Sequence, residues 1–364
     1  MASFTQLSAQ TDDSPTIPWL FSARVDLLAF TGSAVVALTL VWLGHARGWL
    51  AQDTPEWLWV SAVLLLDVAH VYATGFRVYF DPTELRRRPW LYGLAPVLAF
   101  VLGWAVYSES STAFWRVLAY LAVFHFIRQQ YGWVALYRTR EANLDRRGRW
   151  LDSLAIYTAT VYPLIYWHCH LPRQFWWFLD DDFMHLPAAV ELWCRPLYWL
   201  TMVTYFGSSA WRAWTQGIYN PGKDLVVLTT AICWYVGIVS CNSDYAFTVT
   251  NVIIHGVPYM ILVYWHRWGK ADSVAPMNRF RTVAMFLGVI WILAYVEELL
   301  WDTGVWHERP WLFGTFENLE QHSALLVPLL AVPQITHYVL DGFIWRRRSN
   351  DRLAELTEKP RLNG

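Results

Sequence analysis

Charged side chains are scarce in this chain. Only 16% of its 364 residues are Asp, Glu, Lys or Arg, and 55% are hydrophobic, whereas a soluble domain carries about a quarter charged residues. The apolar runs recur along the whole length, which does not fit a pair of soluble domains. The composition favours one integral membrane domain over residues 1–364, with polar tails at 1–20 and 347–364.

Two further patterns are absent. The first 20 residues are polar and lack the basic start, short apolar core and cleavage site of a secretory signal peptide. The four cysteines show no CxxC spacing. Two interpretations of them stay open: a disulfide between Cys169 and Cys194, or small buried thiols, which are favoured.

Long apolar segments rich in aromatic residues are present instead. A helix needs roughly 20 apolar residues to cross a bilayer. The 25 Trp and 19 Tyr residues suit the headgroup region, where an apolar ring and a polar tip are both satisfied. We therefore predict an all-α, polytopic transmembrane bundle of about ten helices, at 24–46, 55–76, 89–108, 112–137, 151–168, 189–211, 224–241, 245–266, 280–300 and 323–345.

The basic residues predict the orientation of this bundle. Most of the 28 Lys and Arg residues fall in alternate loops and after residue 344, and cytoplasmic loops are the ones that carry such an excess. Both termini are therefore expected in the cytoplasm, in a bacterial-type inner (plasma) membrane. The expected partners are the lipid bilayer and a hydrophobic small molecule, with a membrane-protein complex left open and no nucleic acid.

Four histidines lie in the inner halves of predicted segments two, four, eight and ten, which all run in the same direction: His70, His125, His255 and His337. At about 1.5 Å of rise per residue they fall within roughly 10 Å of one another in depth. Ionisable groups at membrane depth are costly and mark functional sites by default. We therefore predict that the four imidazoles hold a metal.

Polar residues accompany these histidines at helical spacing. Asp67, Gln129, Asn251 and Asp341 each lie three or four residues from one of them and are expected to orient the imidazoles. Arg128 is expected to pair with Asp67 or Asp341, since an unpaired guanidinium is unfavourable in hydrocarbon. The predicted site thus has three parts. The four histidines are the metal ligands, and Gln129, Asn251 and Tyr259 are predicted to contact the bound cofactor. The predicted catalytic residues are Arg128, Asp67 and Asp341.

An imidazole-rich site without thiolates suits iron, copper or zinc. The hypothesis is a non-haem ferrous iron oxidoreductase with an apolar lipid or isoprenoid substrate. Three alternatives stay open: a haem- or chlorophyll-binding subunit of an electron-transfer or photosynthetic complex, a proton-coupled transporter, and a purely structural polar core. Tyr72, Tyr131 and Tyr338 are further candidates for proton donors or packing.

One histidine on each of four membrane helices, at 70, 125, 255 and 337, resembles the membrane-embedded carotene-cleaving dioxygenases of bacteria and archaea. The resemblance implies an iron oxygenase acting on an isoprenoid. It rests on the histidine arrangement, because this chain has no PHGxxD-type signature. The HxxxH and HxxHH boxes of membrane desaturases and hydroxylases are also absent.

Two other groups are weaker candidates. The stretch 168-HCH-170, His185 and the acids at 180–182 form a second set, predicted to lie outside the membrane. Loop residues have no fixed helical geometry, so they predict a metal site only weakly. Glu297 and Glu298 are expected near the outer end of segment nine, too far in depth to reach the histidines.

The predicted orientation can be tested with fluorescent fusions that mature only in the cytoplasm. A fusion after Gly364 should fluoresce, and the same domain inserted within 169–188 should not, because the basic loops are predicted to face inward. Fluorescence from both fusions at equal expression would contradict the predicted topology.

Overall fold

The computed structural model describes residues 19–141, 146–175, 177–180, 182–269, 276–315, 323–346 and 353, and every regular element in these ranges is helical. The ten long helices are α1 (Ala23–Arg47), α2 (Glu56–Arg77), α3 (Pro89–Glu109), α4 (Ser111–Arg138), α5 (Arg146–Cys169), α6 (Ala188–Gln216), α7 (Pro221–Ser240), α8 (Asp244–Trp268), α9 (Asn278–Trp306) and α10 (Ser323–Ile344). Most of the two predicted tails lies outside the described residues.

Seven of these helices are long and apolar enough to cross a membrane: α1, α2, α3, α7, α8, α9 and α10. Helices α4, α5 and α6 occupy the other three predicted segments, but charged and hydroxylated side chains along them make them less apolar. The described chain is therefore an all-helical protein with seven candidate membrane spans, and α8 is the most buried of the seven.

Wide helical turns precede two of the four histidines. In α2 the stretch Trp59–Val68 is π-helical and ends two residues before His70. In α8 the π-helical stretch Thr248–Val252 ends three residues before His255. A π turn changes the angular position of every following side chain and is frequent at functional sites. These turns set the direction in which both imidazoles point.

Helix α8 approaches α2 closely beside its histidine. A Cβ atom on Gly256 would lie 3.2 Å from the carbonyl oxygen of Leu66, so a larger residue would push the two backbones apart. Pro258 lies inside α8. Pro333 instead lies in the first turn of Val332–Ile344, just after an interruption of α10 at Ala331. It starts this helical segment, where proline is tolerated because its missing N–H is not needed.

Arg77 joins the ends of α2 and α10. Its side chain is 2% exposed; Nη1 lies 3.1 Å from Oε2 of Glu84, and Nη2 donates to the carbonyl of Ile344 at 3.0 Å. Glu84 also accepts a short hydrogen bond from Tyr92 of α3. Burial raises the pKa of Glu84, but the Tyr92 hydrogen bond and the Arg77 charge outweigh it, and the net pKa is lowered.

Replacing Glu84 by Gln should destabilise the protein by about 1–3 kcal/mol, because the buried guanidinium of Arg77 loses its counter-ion. Since the folded pKa of Glu84 is lowered, its stabilisation is present above the unfolded carboxyl pKa and is lost as the pH falls through the folded value. Thermal unfolding in detergent across acidic pH would measure both effects. The exposed substitution Glu109→Gln is the control; equal melting temperatures for the two variants would contradict the assignment.

Candidate metal centre

Four imidazole rings face one another inside the bundle. His70, His125, His255 and His337 come from α2, α4, α8 and α10 and are 0–3% exposed. The Nε2 atoms of His70 and His255 are 3.0 Å apart, and those of His125 and His337 are 3.1 Å apart. The centroid of the His125 ring lies 5.1 Å from that of His255 and 6.3 Å from that of His70. The two pairs therefore form one cluster.

Ligand atoms within this cluster are close enough to share an ion. Those of His70, His125 and His255 lie within 4.8 Å of one another, and those of His125, His337 and Asp341 meet the same limit. These are the two such groups of His, Cys, Asp or Glu in the described part of the chain. At a metal–nitrogen distance of about 2.0–2.1 Å, two ligand nitrogens lie roughly 2.9 Å apart at a right angle and 3.4 Å apart at a tetrahedral angle. The observed Nε2 separations fall in that range.

A chain of hydrogen bonds lies behind the His337 ring. Its Nδ1 is 2.7 Å from Oγ1 of Thr74, Thr74 is 2.9 Å from the hydroxyl of Tyr259, and Tyr259 donates to Oδ1 of Asp341 at 2.7 Å. With Nε2 on a metal, Nδ1 carries the proton and donates to Thr74, and each hydroxyl donates to the next group. The chain thus fixes one tautomer of His337.

The two predicted carboxylates both lie behind the imidazoles. Oδ1 of Asp67 is 3.7 Å from Nδ1 of His70, and Oδ2 of Asp341 is 3.8 Å from Nδ1 of His125. Trp345 donates to Asp341 at 3.2 Å. These carboxylate–imidazole distances exceed a direct hydrogen bond, so neither acid is hydrogen-bonded to these Nδ1 atoms.

Gln129 and Asn251 have different surroundings. Gln129 donates from Nε2 to the carbonyl oxygen of His255 at 2.8 Å, which ties α4 to the backbone of α8 beside the cluster. Asn251 donates to the carbonyl of Phe247 and to Oγ1 of Thr250, both on its own helix. Oδ1 of Asn251 and Nδ1 of His255 are both buried without a hydrogen-bond partner, so the structure shows no hydrogen bond by which Asn251 orients the His255 ring.

The structure does not place Arg128 beside Asp67 or Asp341. Its exposed side chain hydrogen-bonds the hydroxyl of Tyr157 on α5 and stacks over the ring of Tyr131, 4.8 Å from the centroid. Although Arg128 lies one turn after His125, its side chain is exposed and directed toward Tyr157 of α5. The predicted ion pair is therefore wrong.

Aromatic rings cover two of the imidazoles. Phe126 stacks on His255 with centroids 3.7 Å apart and planes at 6°, and Tyr338 stacks on His125 at 4.7 Å and 27°. Phe126 and Thr74 did not stand out in the sequence. Thr74 lies four residues after His70, so the same helical spacing that identified Gln129 could have found it.

Glu297 and Glu298 interact with Tyr72 and Asp67, two residues near His70. The hydroxyl of Tyr72 lies beside the carboxyl group of Glu297, and Glu298 interacts electrostatically with Asp67. A helical side chain points toward the N-terminal end of its helix, so Tyr72 reaches from near His70 toward the other end of α2. Among the described residues, neither glutamate shares a candidate metal group with a histidine, and the prediction that they do not reach the histidines stays a prediction.

The weaker candidates are arranged differently. His168 uses both ring nitrogens, with Tyr120 at 3.1 Å and the carbonyl of Leu164 at 2.6 Å, and Nδ1 of His170 is 2.7 Å from the carbonyl of Tyr166. Among the described residues, neither these histidines nor His185 joins a group that could hold a metal; Asp181 lies outside the described residues. All four cysteines are free thiols, so the predicted alternative of a Cys169–Cys194 disulfide does not occur here.

Comparison of this chain with protein-family models, with curated proteins and with solved structures found no match. The chemistry of the cluster is therefore argued from its own geometry. That geometry is a set of buried imidazoles whose Nε2 atoms converge and whose Nδ1 sides face hydroxyl and carboxylate groups.

The substitution Thr74→Val should weaken metal binding about 10- to 100-fold, because it removes the acceptor that fixes His337. The matched control is Thr336→Val, which changes a buried threonine next to His337 whose hydroxyl has no hydrogen-bond partner. Competition against a chromophoric chelator would measure both affinities. Equal affinities in the two variants would contradict a role for Thr74.

Proposed function

We propose that this protein is a membrane metalloprotein in which His70, His125, His255 and His337 hold a non-haem ferrous iron. In this proposal it acts as an oxidoreductase on a hydrophobic lipid or isoprenoid substrate. The observation that carries the proposal is the convergence of Nε2 atoms from four helices, in two pairs separated by 3.0 Å and 3.1 Å. Hydrogen bonding alone does not require four imidazoles to converge in an apolar interior.

The ligand atoms of the cluster are mostly imidazole nitrogens, and iron is one of the transition metals that such ligands suit. Imidazole suits iron, copper, nickel and zinc, whereas thiolates select copper(I), zinc or iron–sulfur clusters. The described groups contain imidazoles and one carboxylate, and none of the cysteines belongs to them. When bound, ferrous iron would supply coordination positions for dioxygen and for a substrate.

The distance between the paired Nε2 atoms favours a metal ion without a tetrapyrrole over a haem or chlorophyll-type pigment. Two axial imidazoles on opposite faces of a macrocycle place their ligating nitrogens about 4 Å apart, twice the metal–nitrogen distance. The nitrogens of each pair are about 1 Å closer than that. Stacked Phe126 and Tyr338 also occupy the space beside two of the rings.

The surrounding residues have distinct tasks in this proposal. Thr74 and Tyr259 hold the proton on Nδ1 of His337, and Asp341 carries the negative charge at the end of that chain. Gln129 positions the backbone at His255, and Phe126 excludes water from its ring face. A dry, pre-oriented imidazole set binds a metal with little reorganisation.

We further propose ten membrane spans, with both termini in the cytoplasm of a cell with a bacterial-type inner membrane. The support is that α4 carries His125 into the cluster and packs against α3, α5 and α7, while α6 packs along α5. Ten alternating spans make α2, α4, α8 and α10 run in one direction, as the basic loops predict.

Metal analysis of the purified protein tests the proposal. We expect about one iron per chain, and a His125→Ala variant should lose most of it because one ligand is removed. His45→Ala, an exposed histidine at the end of α1, is the control and should retain the metal. The visible spectrum should lack the intense bands of a tetrapyrrole. Wild-type protein without stoichiometric metal, or equal metal in both variants, would overturn the proposal.

A further inference from the structure

A row of carboxyl groups leads from one end of the bundle to the histidine cluster. We define this acidic row as Asp302, Glu298, Glu297 and Asp67. Glu298 interacts electrostatically with the other three members, and Oδ1 of Asp67 lies 3.7 Å from Nδ1 of His70. Glu297 and Asp302 are only 3% and 4% exposed. The row lies between α9 and α2, which pack against each other.

Two oxygens in the row have no hydrogen-bond donor. Oε1 of Glu297 accepts from Trp301 at 3.3 Å and the Tyr72 hydroxyl lies beside this carboxyl group, but Oε2 makes no hydrogen bond of normal length, and neither does Oδ1 of Asp67. Buried carboxylate oxygens are almost always satisfied in folded proteins. Two such oxygens, one of them 3.7 Å from Nδ1 of His70, point to a positively charged ligand that passes between them.

Arg309 stands at the exposed end of the acidic row. Its Nε is 3.2 Å from Oε2 of Glu56, its guanidinium lies 3.9 Å from the centroid of the Trp59 ring, and it interacts with Glu298. Glu56 is half-exposed, whereas Arg309 is largely covered. The row thus opens to the surface where α2 begins and α9 ends, the face predicted to lie outside the cytoplasm.

We infer that a divalent metal cation reaches the four-histidine centre along the acidic row, entering between Glu56 and Arg309. The inference rests on the proposed metal centre. The carboxyl groups of the row interact electrostatically through Glu298, two of them in largely buried side chains, and a passing dication relieves the repulsion between ionised carboxylates. Imidazoles bind transition metals more tightly than carboxylates do, so the cation moves from the row to the histidines.

The test is the rate of metal loading. Chelator-stripped full-length protein in detergent is mixed with Co²⁺, and the rise of its ligand-field absorption is followed by stopped flow. The double variant Glu297→Gln/Glu298→Gln should load at least about tenfold more slowly at low ionic strength, because the attraction for the cation is lost. The final absorption should equal that of the wild type, since all four histidines remain. Glu109→Gln removes one exposed carboxylate outside the row and should load at the wild-type rate.

The variant Arg309→Gln tests the same route independently, because it should change the loading rate in the opposite direction. Removing the guanidinium removes repulsion at the mouth of the row, so loading should be faster than in the wild type. This variant decides the inference if the double variant does not fold. Unchanged loading rates in the variants would overturn the access route and leave the metal centre intact. A wild type that binds no Co²⁺ would overturn the centre and the route together.

Discussion

Burial of four imidazoles in an apolar bundle is the constraint on which the rest of this structure depends. Each ring presents two polar nitrogens, and burying a polar group without a hydrogen-bond partner is costly. The structure meets this demand in part: the Nε2 atoms face one another and Nδ1 of His337 lies 2.7 Å from Thr74, whereas Nδ1 of His70 and of His255 has no hydrogen-bond partner. Without a shared ion, each close Nε2 pair needs one protonated and one unprotonated nitrogen.

The same constraint explains the polar residues that lie away from the rings. Arg77 joins α2 and α10 at one end, and so fixes the relative height of His70 and His337. Gly256 lets α8 approach α2 closely enough for His255 to reach His70. The hydrogen-bonded pair Thr74 and Tyr259 then joins α2 to α8 behind the cluster. Packing and the candidate site are coupled, because the contacts that orient the candidate metal ligands also hold the helices together.

The periodicity of the sequence was enough to identify the central residues. Membrane hydropathy and helical spacing identified His70, His125, His255 and His337, because depth along a straight helix can be counted from its end. Rotation around the helix was harder to predict. Arg128 was assigned to the wrong side, and the amide nitrogen of Asn251 donates within its own helix. The reach of Tyr72 to Glu297 depends on side-chain direction, which a count of residues does not contain.

The π-helical stretch that ends just before His70 has an evolutionary consequence. A π turn holds more residues than an ordinary α-turn. Its presence or absence therefore changes the angular position of every later side chain in the helix, while the amino-acid composition of the segment stays nearly the same. A related chain could preserve every apolar segment and every histidine of this one, yet direct the imidazole of α2 toward lipid. Relatives that share this chemistry should therefore be sought by the phase of their helices, for which hydropathy profiles are no guide.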